Sequence, residues 1–357
     1  MDFSLTDDRR MLQDSLTRFL ADKYGAEHRV KVAYEAPFHD PALWGELTEL
    51  GALYALAPEA QGGFGGTGFD ISVVFEALGR AMCPEPVLGA LMASRLLGAA
   101  GAEQDALLSG ATKYAVAIAE PDAPYDLGSI GVTAKGDGEA ITLSGRKTAI
   151  YGGQVAEIFL VVALMNGKPA VFEVRADQAQ VVGYGLMDGG GAAELLLDDT
   201  PAALLLADAG AVIESAVNAG IVALAAEAVG LMSVAHEMTV DYLRQRKQFG
   251  VTIGKFQALQ HRAVDMLTEI EQSRSLVIKA AAELDGPEAS RFCAMVKALV
   301  GRAGRLVAEE AIQMHGGIGV TWEYPLAHYA KRITLLDAQL GDTDHHLGTL
   351  IDGYKAA

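Results

Sequence analysis

The chain is poor in several things, and each shortage closes off a class of function. It holds only 2 cysteines, Cys83 and Cys293. They lie far apart and outside any CxxC or Cys/His spacing, so neither a disulfide framework nor a zinc or other metal site is supported, and two buried thiols in a reducing cytoplasm are expected. Cations are scarce as well: 28 Lys and Arg stand against 46 Asp and Glu, a formal charge of −18. That average field repels polyanions, which argues against nucleic acid as a partner and requires any anionic ligand to find a local cluster of donors. The N-terminal Met1-Asp2-Phe3-Ser4 is not a basic segment leading into an apolar core, and no apolar run reads as approaching membrane-spanning length. A soluble, cytoplasmic protein with no membrane partner is expected. No GxGxxG follows a strand-like run, so a Rossmann dinucleotide site is not indicated.

What is present is apolar and patterned. Of 357 residues 51% are hydrophobic, enough for a sizeable core and two or three domains. From Thr6 to about Gly110 the pattern is helical. Thr6 stands as an N-cap before Asp7 and Asp8, and Leu12, Leu16, Phe19 and Leu20 form one apolar face. Trp44, Leu47 and Leu50 start a second face that ends at Gly51, and Pro58 to Gly66 reads as a loop before helices resume at Ile71. Short apolar or alternating runs then appear between turn residues: Tyr114 to Ala119, Ile141 to Leu143, Ile158 to Leu164 and Ala170 to Val174. These predict β-strands. From about Ala207 long helical patterns return, over Val212 to Arg246, Phe256 to Leu284 and Glu288 to Met314. The expected division is a helical segment 1–112, a small all-β segment 113–206 and a helical segment 207–357.

Two segments stand out chemically. Arg244-Gln245-Arg246-Lys247-Gln248-Phe249-Gly250 closes a long helix, and Lys255-Phe256-Gln257 follows. Taken alone, basic residues in a last turn complement the macrodipole and Gly250 is a natural C′ residue. Gln313-Met314-His315-Gly316-Gly317-Ile318-Gly319-Val320 follows a helix, and its paired glycines permit either a helix cap or close approach of a ligand to the backbone. His345 and His346 are adjacent, so on a helix they point about 100° apart, and they read as surface or helix-end residues. Gly62 to Gly68 follows a helix and lacks the lysine of a phosphate cradle, so it reads as a structural loop.

Together, RQRKQFG…FQALQHRAVDM and AIQMHGGIGVTWEYP, with the earlier APEAQGGFGG and AEP, closely resemble the flavin-dependent acyl-CoA dehydrogenase family over essentially the whole chain. The resemblance implies a mainly α fold: an N-terminal helical domain, a middle β-barrel and a C-terminal four-helix bundle. It also implies FAD bound between subunits and an acyl-CoA substrate, with an electron-transfer flavoprotein as the usual electron acceptor. By the same resemblance Arg246, Gln248, Phe249 and Gln257 would hold the ADP half of FAD, with Gln313, Gly316 and Gly317 completing the adenine side. The chemistry suits that role, since a guanidinium is a fixed multi-donor partner for pyrophosphate and glycines let peptide groups approach a cofactor. In the family those residues reach across to FAD seated mainly in the neighbouring subunit.

The chain departs from the family pattern where the reaction needs a base. The family's Tyr-Glu-Gly-Thr stretch matches Gln339-Leu340-Gly341-Asp342, and the alternative glutamate position on the preceding long helix falls at about Gly220. Neither residue can accept a proton. Glu214, Glu227, Asp337 and Asp342 are the nearby carboxylates, and solvated or capping roles are the default expectation for them, so no catalytic residue is assigned. On the flavin-ring side, Thr-Glu-Pro and Gly-Ser-Asp match Ala119-Glu120-Pro121 and Pro124-Tyr125-Asp126, while the ring-covering Trp-Ile-Thr/Ser-Asn matches Ala149-Ile150-Tyr151-Gly152. The half-site offered to a partner is therefore retained and the chain's own ring site is eroded. This pattern points to the non-catalytic subunit of an α2β2 acyl-CoA dehydrogenase, of the type that acts on steroid or bile-acid side chains. Two alternatives stand beside it: a homo-oligomeric flavoenzyme, a dimer of dimers with a displaced base, and a flavin-free CoA-ester or protein-binding module.

Overall fold

The computed structural model describes residues 5–138 and 140–356. The N-terminal segment forms α1 (Asp7–Lys23), α2 (Ala26–Tyr34), α3 (Pro41–Glu49), α4 (Gly68–Ala81), α5 (Val87–Ala99) and the single turn α6 (Asp105–Leu108). Thr6 caps α1 by accepting the Arg9 N–H, and Leu16 and Leu20 carry its buried face. Asp40 caps α3 with hydrogen bonds from Ala42 and Leu43, and Pro41 sits at the first helical position, where its missing N–H costs nothing.

Eight strands follow: β1 (Tyr114–Ala117), β2 (Thr133–Lys135), β3 (Thr142–Tyr151), β4 (Ile158–Met165), β5 (Lys168–Arg175), β6 (Gln180–Gly185), β7 (Gly191–Pro201) and β8 (Ala203–Leu206). Helix α7 (Gly210–Gln245) leads to the hairpin β9 (Lys247–Gln248) and β10 (Val251–Thr252). The chain ends in α8 (Gln257–Glu283), α9 (Ala289–His315), α10 (Leu326–Asp337) and α11 (Thr343–Ala356).

The described residues form two compact units. One contains 28–70 and 84–220, and the other contains the residues up to 27, 71–83 and those from 221 onward. In the first unit the strands pair in the order β6-β7-β3-β2-β4-β5-β8, with β1 added parallel to β4. No pairing joins β8 to β6 among the described residues, so the sheet is open where a barrel was expected. Its core is built from Leu143, Ile150, Phe159, Val161, Phe172, Val174 and Leu195. Phe159 through Ala163 are all fully buried, which explains the unbroken apolar run in β4: both faces are covered and no alternation is needed. Helix α5 packs on β1, and a Cβ at Gly89 would lie 2.8 Å from the Tyr114 carbonyl.

In the second unit α9 packs against α8, α10 and α11. Helices α4 and α7 approach through reciprocal glycines. A Cβ at Gly79 would lie 2.2 Å from the Glu227 carbonyl oxygen, and one at Gly230 would lie 2.3 Å from that of Glu76. The two backbones thus touch where larger side chains would hold helices 8–10 Å apart. Helix α7 overturns one expectation, because it is long and apolar enough to span a membrane. However, 89% of its most apolar window is buried inside the protein, as befits a core helix. Cys293 is buried as expected, and burial pushes its thiol up to about 12, but Cys83 is only half-buried.

Candidate functional site

The basic segment does not end as a simple helix cap. α7 stops at Gln245, and the next residues form a tight hairpin in which Val251 pairs with Gln248 and Thr252 with Lys247. Its two turn residues, Phe249 (φ 55°) and Gly250 (φ 78°), both have positive φ, as a type I′ turn demands. Gly250 is therefore a turn residue and not the expected C′ of the helix. Phenylalanine in this region is strained by about 1–2 kcal/mol, and the ring stands 89% exposed, so neither backbone preference nor burial in this chain accounts for it.

The structure brings the end of α9 against the last turns of α7. His315, the last residue of α9, stacks on Tyr242 in the last turns of α7, with ring centroids 4.5 Å apart. The Tyr242 carbonyl accepts the Arg246 N–H at 2.8 Å. The start of α8 is tied to its neighbours: His236 Nε2 of α7 donates to the Ala263 carbonyl at 3.0 Å, and Arg262 Nε donates to Glu310 of α9 at 2.5 Å. Arg246, Gln248, Phe249, Gln257, Gln313, Gly316 and Gly317 are all exposed. Among the described residues the Gln248 side chain bonds only to the Lys247 carbonyl in its own hairpin. The guanidinium of Arg246 and the amides of Gln257 and Gln313 face solvent.

The glycine turn is equally uncovered. Gly316 has φ 67° and ψ −146°, a backbone state open essentially to glycine alone. A Cβ at Gly316 or Gly317 would meet nothing within 4 Å. The protein itself does not crowd these peptides, so their glycines serve backbone shape and access. Phe256, Ile318, Val320 and Trp322 are further exposed apolar side chains in the same segments. Unengaged donors, an accessible glycine backbone and exposed apolar rings fit the adenine and pyrophosphate portion of a dinucleotide.

The region matching the family's base is occupied by something else. Leu340 has positive φ (55°), and Gly341 follows with φ 98°. A Cβ at Gly341 would fall 2.5 Å from His346 Nε2, so glycine is required there. Lys297, with no exposed surface, donates to the carbonyls of Asp337 (2.7 Å) and Gly341 (2.6 Å), and His346 Nε2 donates to that of Leu340 (2.9 Å). Burial pushes Lys297 down to about 8, against the pull of Asp337 and Asp342. Burial likewise pushes His346 down to about 4, so this imidazole is neutral and buried at a helix end, not on the surface. Three of the four nearby carboxylates hold structural posts, and the fourth, Glu214, is exposed on α7. Glu227 takes a two-pronged ion pair from Arg332 at 2.6 and 2.8 Å, Asp337 accepts from Thr343, and Asp342 caps α11 through the His345 N–H. Gly220 is buried in α7.

The segment matching the family's flavin-ring contacts is also tied up internally. Glu120 accepts from Lys147 Nζ (2.7 Å) and from the N–H groups of Gly131 (2.7 Å) and Val132 (3.1 Å). Burial raises the Glu120 carboxyl, but Lys147 and the two peptide groups outweigh it and hold it below its usual range. Ala149, in place of the covering indole, has φ 47° beside an irregularity in the β3–β7 register. Next to it Thr148 and Arg146 both donate to Glu194. Gly63, Gly65 and Gly66 in the glycine-rich loop are closed over by the backbone of Ala55 to Pro58, the structural role expected.

Sequence reasoning missed Lys147, Lys297 and His315 as structural centres. A signal existed for two of them. Lys147 falls on the inward phase of β3, and Lys297 falls on the apolar stripe Cys293-Lys297-Val300-Gly304 of α9.

Comparison with known proteins agrees with this arrangement. Residues 6–106 match the model described as "Acyl-CoA dehydrogenase, N-terminal domain", and residues 209–354 match "Acyl-CoA dehydrogenase, C-terminal domain". The chain is 30% identical over 332 residues to acyl-CoA dehydrogenase IpdE2 of Mycolicibacterium smegmatis, covering 92% of this chain and 93% of that one. Among solved structures, a variant of the Tcur3481-Tcur3483 steroid ACAD superposes with a TM-score of 0.90 at 29% identity, covering 98% and 99% of the two chains. PigA, solved with FAD, shares the fold with a TM-score of 0.90 at 23% identity over 99% of each chain. Matched models before and after the strands in sequence, together with a relative similar over nearly its full length, place the chain in the acyl-CoA dehydrogenase family.

Proposed function

We propose that this chain is the non-catalytic subunit of a heteromeric acyl-CoA dehydrogenase and that it completes an FAD site seated in a sister subunit. Arg246, Gln248 and Gln257 bind the pyrophosphate side. Gln313 and the Gly316–Gly317 peptides take the adenine side, and Phe249 lies against the cofactor. Bound FAD supplies the acceptor for the hydride leaving the β-carbon of an acyl-CoA thioester. The α-proton must go to a carboxylate, which the sister subunit provides.

One observation carries the reading: the proposed nucleotide-binding residues are all exposed, Gln248 alone among their side chains being bonded, to its neighbour's carbonyl, whereas the region matching the family's base offers Leu340 in a turn gripped by Lys297 and His346. Glu227, Asp337 and Asp342 are committed to Arg332, Thr343 and a helix cap, which disfavours any of them as a displaced base. The paired name of the steroid ACAD relative supports a heteromer and a bulky, ring-bearing acyl group.

The test is to isolate this chain alone and together with a catalytic acyl-CoA dehydrogenase chain that co-purifies with it, and to measure flavin content and bleaching by a steroid side-chain acyl-CoA. The lone chain is expected to hold little FAD and to give no bleaching, and the complex to do both. One FAD per lone chain, reduced by an acyl-CoA, overturns the proposal.

A further inference from the structure

His315 is 4% exposed; it directly precedes the Gly316–Gly317 peptides and packs on Tyr242, one turn of α7 before Arg246. Its Nδ1 donates to the Ala311 carbonyl at 2.8 Å, which leaves Nε2 as the acceptor facing the Tyr324 hydroxyl at 3.3 Å. Its ring lies nearly parallel to that of Tyr242 (4.5 Å, 27°) and tilted to that of Tyr324 (5.3 Å, 52°). Burial pulls the imidazole below the usual histidine range, against the opposing pull of the Ala311 and Met238 carbonyls, and so favours the neutral form. The glycine turn is wound against the same side chain, since a Cβ at Gly319 would lie 3.0 Å from His315 Cβ.

We infer that His315 is a positioning residue which fixes the separation between the Arg246 guanidinium and the Gly316–Gly317 peptides, and thereby the grip on the ADP half of FAD. The inference rests on the nucleotide site proposed above. The reason is one of preorganisation. Arg246 is attached to an exposed helix end and hairpin, and the glycine turn has little side-chain packing of its own. A ligand that must bridge both would lose affinity to every degree of freedom left between them. The Tyr242–His315–Tyr324 stack removes that freedom, because the backbone carbonyl of Tyr242 accepts the backbone N–H of Arg246. A flat ring is required for the stack, while the two nitrogens fix its rotation.

The test uses the FAD-containing assembly isolated through this chain, with FAD release on dilution followed by the recovery of flavin fluorescence. His315→Ala and Tyr242→Leu are expected to speed release at least tenfold, and His315→Phe, which keeps the stack, to stay within threefold of the unaltered assembly. Melting temperatures serve as the control for folding, and Tyr242→Leu decides the matter if His315→Ala does not fold. Arg246→Ala separates the two claims. If it speeds release while His315→Ala and Tyr242→Leu do not, the positioning role is overturned and the nucleotide site stands. If Arg246→Ala has no effect either, the nucleotide site itself is wrong and this inference falls with it.

Discussion

At the scale of single residues the fold relies on a few buried charges whose removal has predictable signs. Lys147 is wholly enclosed, and burial pushes its ammonium below the usual lysine range even though Glu120 bonds to it. Replacing Glu120 by Ala strands that ammonium, and chemical denaturation should show a loss of about 3–5 kcal/mol. His346 makes a pH prediction. Burial pushes it down to about 4, below the usual imidazole value of 6.5. Between those limits the unfolded chain carries a proton that the folded chain refuses, so stability is full above pH 6.5 and falls as the pH drops toward 4, by about 3 kcal/mol in total. Urea midpoints measured at pH 7 and pH 4.5 should show the decline, and His346→Gln should flatten it. Lys297 works in the same direction at the alkaline end, with stability rising between pH 8 and 10.5.

At the scale of elements the hairpin after α7 sets a stability preference against a functional one. Asparagine is the favoured residue at the first position of its turn, yet Phe249 stands there. Phe249→Asn is expected to stabilise the protein by about 1 kcal/mol, by relieving the left-handed strain, and to weaken FAD retention by removing the aromatic face. A variant that is more stable and holds FAD unchanged would sink the functional account of Phe249. The hairpin also marks a limit of sequence reading. Arg244 to Gly250 was legible as a basic helix end, but whether Gly250 caps a helix or closes a hairpin depends on the pairing of Gln248 with Val251. In the sheet, the apolar runs of β4 and β5 announced themselves. β6 and β7 did not, because their exposed residues and glycines interrupt the alternation.

At the scale of the whole molecule the question is division of labour between chains. If only the base were missing, Leu340→Glu would give a lone chain that reduces its own flavin. The surroundings argue otherwise, because Lys297 and His346 fix the Leu340 turn from beneath and the segment around Ala149 is occupied by the Glu194 network. Leu340→Glu alone is therefore expected to leave the isolated chain without acyl-CoA-dependent bleaching, as measured by absorbance of added FAD.

The sequence by itself determined the family, the helix–strand–helix order and the candidates proposed for nucleotide binding, because periodicity, turn chemistry and the two C-terminal motifs are local properties of the chain. It also revealed the absence of a base at Leu340 and Gly220. Only the tertiary structure decided that the sheet stays open, that α7 is a core helix despite its apolar length, and that His315, Lys147 and Lys297 are structural centres. Those outcomes depend on which faces meet across long separations in the chain, and on how burial reprices a charge or an imidazole once water has been excluded.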